Sequence, residues 1–150
     1  RYVTEGFGLY PTIVKPPYTT LTAYDLNKGT IKWQVGLGDD LRLVGQGIKG
    51  TGTAANVKTS VIVTATGLVF ATAGDHKIHV YDSKDGKQIW ETPLGAATTG
   101  APSMYELNGR QYLLVTASGG GGRGAARNTV DVAGANPEGP VGIVAYALPK

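Results

Sequence analysis

Residues 21–33, with the sequence LTAYDLNKGTIKW, are repeated without a gap by residues 78–90, with the sequence IHVYDSKDGKQIW. Each copy has an apolar strand, a Tyr-Asp pair, a polar turn with glycine and a second strand that carries tryptophan, and each is followed by Leu-Gly. The copies lie 57 residues apart, as the step from Asp25 to Asp82 shows. A repeat of about this length, built from short strands and turns, is typical of β-propeller blades.

The rest of the chain also alternates β-forming segments with turns rich in glycine, asparagine and aspartate. No segment has a sustained helical period. The predicted fold class is therefore all-β, a partial β-propeller arc of antiparallel four-stranded blades. Strands are predicted at residues 21–25, 31–35, 60–64, 68–73, 77–82, 88–92, 103–107, 111–117 and 142–148.

These strands divide one predicted domain, residues 1–150, into three blades. Residues 1–38 hold the end of one blade, residues 52–95 form a complete blade, and residues 98–150 form a last blade that lacks its outer strand. Residues 118–141 are a glycine-rich loop in that last blade. An open arc exposes apolar flanks and unpaired strand edges. We expect the remainder of the propeller, in the same polypeptide or a complementary chain, or self-association, to cover them.

The bulk composition excludes several classes of protein. The net charge of +3 comes from basic residues scattered along the chain, whereas a nucleic-acid binder gathers them on one stripe. There is no cysteine, which excludes disulfides and thiolate metal sites. No apolar run approaches the ~18–20 residues of a transmembrane helix. The chain begins at Arg1 without a charged and apolar leader, so we expect any signal peptide to have been removed.

The repeated motif, Ala23-x-Asp25-x3-Gly29-x3-Trp33, resembles the tryptophan-docking motif of dehydrogenases that depend on pyrroloquinoline quinone (PQQ). In this family, eight blades form the propeller and each tryptophan packs on the neighbouring blade. The resemblance places the chain in the carboxyl-terminal part of that propeller, closest to the membrane-bound glucose dehydrogenase branch. Further similar stretches are residues 15–17 before 21–26, residues 67–70 before 75–78, residues 101–112 and the ending 143–149.

The residues of the motif also have a physical interpretation of their own. Asp25 and Asp82 each end a strand, where a carboxylate can accept backbone N–H bonds across the turn. Trp33 and Trp90 supply large apolar area between blades. A catalytic base is the functional alternative for Asp82, but Asp25 has the same turn context, which favours a structural role for both.

The resemblance implies that PQQ lies on a Ca²⁺ ion over the central channel, and that a carboxylate base helps to remove the hydroxyl hydrogen of the substrate. The metal-binding and catalytic carboxylates lie in more amino-terminal blades, so neither kind of residue is assigned here. This chain is expected to contribute part of the quinone-site rim from residues 52–60 and the glycine-rich loop. The candidate cofactor-binding residues are Asn56, Lys58, Thr59, Gly121, Gly122 and Arg123.

Two of these candidates carry a positive charge. A tricarboxylated quinone needs cationic or N–H partners, which favours Lys58 and Arg123. A solvated surface position is the alternative for each. Both rim segments depart from the family pattern, because Thr59-Ser60-Val61 stands where relatives often have Gly-Gly-Pro, and the glycine loop continues into a long insertion, residues 123–140.

Motifs for nucleotide, phosphate or metal binding are not supported by the residues around them. Glycines at 119, 121 and 124 match a dinucleotide fingerprint, but residues 125–139 contain Gly134 and Asn136-Pro137 and cannot supply the required helix. A P-loop is excluded because no Lys-Ser or Lys-Thr follows the glycines. His76 and His79 lie three residues apart and would point to opposite faces of a strand, so binding one metal ion together would need a β-bulge. Turn and surface positions explain both histidines. Asp39-Asp40 is interpreted as a solvated loop pair.

The sequence therefore predicts the carboxyl-terminal portion of a PQQ-dependent dehydrogenase that oxidises alcohols or aldose sugars in the periplasm or another extracytoplasmic compartment. Propeller closure and part of the quinone-site rim are its predicted contributions, and we expect no turnover from the chain alone. The alternative is a non-catalytic β-propeller module for protein–protein assembly, since a fold does not fix a function.

Overall fold

The computed structural model describes residues 15–53, 60–98, 100–118 and 139–147. In these ranges the chain forms three antiparallel sheets, with strand orders β1-β2, β3-β4-β5-β6 and β7-β8-β9. The prediction of an all-β chain is confirmed. The elements are β1 Thr20–Asp25, β2 Thr30–Gly36, α1 Leu41–Val44, β3 Val61–Val63, β4 Leu68–Thr72, β5 Lys77–Asp82, β6 Gln88–Pro93, β7 Ser103–Leu107, β8 Arg110–Ala117 and β9 Gly142–Ala147.

The central sheet, β3 to β6, buries both of its faces. On one face Val69, Ala71 and Tyr81 pack with Leu37 in a core shared with the first sheet. On the other face Ile78 joins a core shared with the third sheet, whose members are Leu94, Leu113, Val115 and Ala117. Apolar residues on both faces are what a sheet between two neighbouring sheets requires. The continuous apolar run of β4 has this cause.

The two copies of the repeat fold alike. Asp25 accepts the backbone N–H of Asn27 at 3.0 Å, and Asp82 accepts that of Lys84 at 2.7 Å. Glycines at 29 and 86 close both turns with positive φ angles of 66° and 75°. The strand register also shifts at the same place in each copy, after Ala23 and after Val80. The structural interpretation of the two aspartates is confirmed by these contacts.

The two tryptophans each contact the next sheet along the chain. Trp33 donates its Nε1–H to the carbonyl oxygen of Ser83 at 3.0 Å, and its ring covers Gly86 so closely that a Cβ there would lie 2.6 Å from Cε3. Trp90 packs edge-on against Tyr146 of β9, with ring centroids 6.3 Å apart. Tyr146 has the same place in its strand as the tyrosines that precede Asp25 and Asp82.

The sequence did not indicate the short helix α1. Asp40 caps it by accepting the backbone N–H of Arg42 at 3.0 Å. Four residues are too few to show a helical period, and a helix this short depends on such contacts. In the described ranges no helix is long and apolar enough to cross a membrane.

The predicted blade boundaries, residues 1–38, 52–95 and 98–150, stay predictions.

Candidate functional site

The segments that connect one sheet to the next lie at the same end of the three sheets. Val61 pairs with Ala71 and Lys77 with Pro93, so β3 and β5 begin where β4 and β6 end. The bridge from Thr98 brings the next connection to the end of β8. We call this end the rim end. Its described parts are residues 37–53, 60, 73–76, 94–98, 117–118 and 139–141.

The six candidate cofactor-binding residues, Asn56, Lys58, Thr59, Gly121, Gly122 and Arg123, lie outside the described residues, so their assignment stays a prediction. The described residues that flank these candidates in the sequence, at 53, 60, 118 and 139, belong to the rim end. The backbone N–H of Thr53 donates to the carbonyl oxygen of Leu37 at 3.2 Å, and the carbonyl oxygen of Ser60 accepts from Thr72 at 3.3 Å.

Several buried polar atoms at or beside the rim end lack a hydrogen-bond partner in the described part of the chain. Buried polar groups in native proteins are nearly always paired, and the exceptions tend to mark functional sites or bound groups. These atoms are therefore candidates for binding a ligand or a further part of the protein. They are the hydroxyl oxygens of Thr53, Thr72, Thr98 and Thr116 and the Nδ1 atom of His76.

A histidine and a carboxylate form a buried pair at the rim end. The Nε2 atom of His79 lies 2.9 Å from Oδ2 and 3.1 Å from Oδ1 of Asp75, and the two side chains are 2% and 1% exposed. On its other side, Nδ1 of His79 lies 3.6 Å from Oε2 of Glu91. The surface interpretation of the two histidines is wrong, because His76 is also buried; its turn position is confirmed.

Strand pairing explains how this group is assembled. His79 on β5 lies directly opposite Glu91 on β6, and Lys77 on the same face of β5 binds Oε1 of Glu91 at 2.6 Å. The hydrogen bond from Lys77 is the main cause that lowers the pKa of Glu91. Burial raises the pKa of Tyr81, which stacks on His79, to about 12.

Asp75 also binds the loop that follows the first sheet. Its Oδ2 atom accepts the backbone N–H of Asp39 at 3.1 Å, and a Cβ on Gly38 would lie 2.9 Å from the same oxygen. The carboxylate of Asp39 in turn accepts the backbone N–H groups of Gly50 and Thr51. A cavity of about 350 Å³ lies between the first two sheets, and both aspartates line it.

The prediction that Asp39-Asp40 is a solvated pair is wrong for Asp40. That residue is 5% exposed, accepts from the side chain and backbone of Arg42, and donates its own N–H to Oγ1 of Thr51 at 2.8 Å. Asp39 is half-buried. In the described part of the chain no group of three or more His, Cys, Asp or Glu side chains has a geometry that could hold a metal ion.

The comparisons with known proteins agree with this architecture. Residues 6–113 match the family described as the glucose/ethanol/alcohol dehydrogenase PQQ β-propeller domain. The chain is 33% identical over 143 residues to a quinate/shikimate dehydrogenase (quinone) from Acinetobacter baylyi, covering 91% of this chain and 16% of that protein. It is 36% identical over 111 residues to the glycerol dehydrogenase large subunit of Gluconobacter oxydans, covering 70% of this chain and 15% of that protein.

Among solved structures, a quinohemoprotein alcohol dehydrogenase from Pseudomonas putida is similar, with a TM-score of 0.49, 27% identity and coverage of 70% of this chain and 13% of that one. The three sheets and the family match together define a partial β-propeller, which confirms the predicted fold class. The chain belongs to the family of PQQ-dependent dehydrogenases. It spans about a sixth of the length of the curated relatives named here.

Proposed function

We propose that this chain is the carboxyl-terminal portion of a PQQ-dependent dehydrogenase that oxidises hydroxyl groups of alcohols or sugars outside the cytoplasm. The proposal is supported by family membership and by relatives whose names include quinate, glycerol and alcohol dehydrogenases. The small share of each relative that the chain spans supports a part of a larger propeller. Assignment to the glucose dehydrogenase branch stays a prediction.

The observation that carries the proposal for a quinone-site rim is the set of unpaired buried polar atoms at the rim end. Hydroxyl groups such as those of Thr53, Thr98 and Thr116 can donate to the carboxylates of a quinone, so the described residues fit the group. They would act beside the candidates Asn56, Lys58, Thr59, Gly121, Gly122 and Arg123. When bound, PQQ supplies the acceptor for the hydride from the alcohol carbon of the substrate.

The chain's own part in this function is to shape and close the site. The contact of Trp33 with Ser83 and Gly86 supports a tryptophan-docking role in which each sheet is fixed to the next. Propeller closure would bring the more amino-terminal blades, with their catalytic carboxylates and the main Ca²⁺ ligands, to the same central channel. We therefore propose that the chain has no turnover by itself.

The test is reconstitution. The chain is mixed with PQQ and Ca²⁺, with and without an amino-terminal complement of the propeller, and quinone absorbance and dye reduction are followed with alcohols and aldoses. We expect PQQ binding and dye reduction only in the complemented protein. Absence of PQQ binding there would favour the alternative, a non-catalytic propeller module.

A matched pair of threonine variants sharpens this test. Thr98→Val removes a buried, unpaired hydroxyl at the rim end, whereas Thr30→Val removes an exposed hydroxyl at the opposite end of β2. A hydrogen bond to a charged group contributes roughly 1.5–3 kcal/mol, so Thr98→Val is expected to weaken PQQ binding about tenfold to a hundredfold. Equal affinity in the two variants would remove Thr98 from the proposed rim.

A further inference from the structure

We propose that Asp75 is a positioning residue that holds the loop of residues 37–53 at the rim end, and that His79 acts through it by fixing its carboxylate. The pair lies at the boundary between two sheets, with His79 on the second sheet and the N–H of Asp39 supplied by the loop that follows the first sheet. Its consequence for the reaction rests on the proposed function, because the held loop leads towards the predicted quinone-site rim.

His79 determines where the Asp75 carboxylate lies. A carboxylate that is 1% exposed is costly unless its oxygens are hydrogen-bonded. Both oxygens lie within 3.1 Å of Nε2 of His79, and the shorter distance, 2.9 Å, is to the oxygen that also accepts the N–H of Asp39. Since a carboxylate can only accept, Nε2 carries the proton of this hydrogen bond.

Asp75 in turn holds the backbone of the neighbouring loop, residues 37–53. Its bond from the N–H of Asp39 fixes the residue whose own carboxylate accepts from Gly50 and Thr51. Two backbone bonds complete the loop, from Gly52 to the carbonyl oxygen of Gly38 and from Thr53 to that of Leu37. The described backbone from 50 to 53 is therefore ordered by residues 37–39.

A positioning role requires a hydrogen-bond donor at position 79, whereas simple packing does not. His79 stacks on Tyr81 with ring centroids 6.2 Å apart, and a phenylalanine could fill that space. A phenylalanine could not donate to Asp75. The charged or titratable groups that face the pair in the described residues are Asp39, Lys77, Tyr81 and Glu91, together with Lys49 across the cavity.

The experiment measures amide hydrogen exchange in the 150-residue chain without cofactor. We expect His79→Phe to speed exchange of the amides of Asp39, Gly50 and Thr51 about tenfold, since a hydrogen bond to a charged group is lost. His79→Gln keeps an N–H donor at the place of Nε2 and is expected to restore protection. The control Lys84→Ala changes an exposed turn residue and is expected to change none of these rates.

Two results would overturn the proposal. One is equal acceleration by His79→Phe in the loop and in strand β8 of the third sheet, which would show general loosening of the packing. The other is unchanged exchange at Asp39, Gly50 and Thr51. Because this readout needs no PQQ, it is separate from a failure of the proposed function, which would appear as absence of PQQ binding by the complemented wild-type protein.

A second measurement connects the pair to the cofactor. PQQ is titrated into the complemented protein that carries His79→Phe or His79→Gln. We expect weaker binding with the phenylalanine and near wild-type binding with the glutamine. If His79→Phe speeds exchange in the loop but binds PQQ as the wild-type protein does, Asp75 and His79 do not position the quinone site.

Discussion

Gly86 offers a direct test of how the sheets are joined, because the chain contains its twin. Gly29 and Gly86 have the same place in the two copies of the repeat, with φ angles of 66° and 75°. Each donates its N–H to the carbonyl oxygen of the aspartate that starts its turn, at 2.8 and 2.9 Å. The difference is the surroundings, since nothing lies within 4 Å of a Cβ built on Gly29, whereas Trp33 covers Gly86.

The expected magnitudes follow from this geometry. An alanine with positive φ costs about 1–2 kcal/mol at either position. At Gly86 the new methyl would also lie 2.6 Å from Cε3 and 2.8 Å from Cδ2 of Trp33, so the indole must move by about 1 Å to reach ordinary contact. Overpacking costs about 1–3 kcal/mol, and the shift of the indole would weaken the hydrogen bond from Trp33 to Ser83. We expect Gly86→Ala to destabilise the chain by about 2–3 kcal/mol more than Gly29→Ala.

Equilibrium unfolding in urea, with the same slope for all variants, measures this difference. A third variant locates its cause. In a chain that carries Trp33→Leu, the indole is absent, and the cost of Gly86→Ala should fall to that of Gly29→Ala. Equal costs of the two glycine substitutions in the wild-type background would refute the argument that Trp33 packs on Gly86 in solution.

Three further predictions concern stability. Trp33→Phe removes the bond to Ser83 and should cost about 1–2 kcal/mol by urea unfolding, more than Trp90→Phe, because Trp90 is 46% exposed. The folded pKa of Tyr81 is about 12 and its ordinary value is 10.0, so stability should fall between pH 10 and 12, and Tyr81→Phe should reduce that fall in alkaline melts. The pKa of Glu91 is lowered, so Glu91 stabilises the folded chain above pH 4.5 and this contribution is lost as the pH falls below that value. Lys77→Gln should reduce this loss of stability in urea unfolding at acidic pH.

The strands were predictable because their signals are local. The predicted strands at residues 77–82 and 103–107 are β5 and β7, and the other predicted strand ends differ from the described ones by at most one residue. Alternating apolar residues and turn glycines decide such elements within a few positions. The helix α1 was missed because its four residues are fixed by distant contacts, such as the bond between the N–H of Asp40 and Thr51.

The buried pair was missed for a different reason. His79 and Asp75 are four residues apart, a spacing that would separate them along a straight strand. The turn at residues 73–76, in which His76 has a φ angle of 59°, brings Asp75 back over the face of β5. A signal was present, since a polar residue on a strand between two neighbouring sheets needs a buried partner and Asp75 is a carboxylate only four residues away.

The comparison of the two copies shows that the pair is not needed to form the hairpin of the repeat. A shift of 57 residues relates Asp75 to Tyr18 and His79 to Thr22, so the first copy has neither member of the pair. The turn aspartates and the tryptophans, in contrast, recur in both copies and make contacts that form the sheets or join them. A buried ionisable pair that the fold does not repeat requires a cause specific to its location. At the boundary of the first two sheets, beside the loop that it binds, the positioning of that loop supplies such a cause.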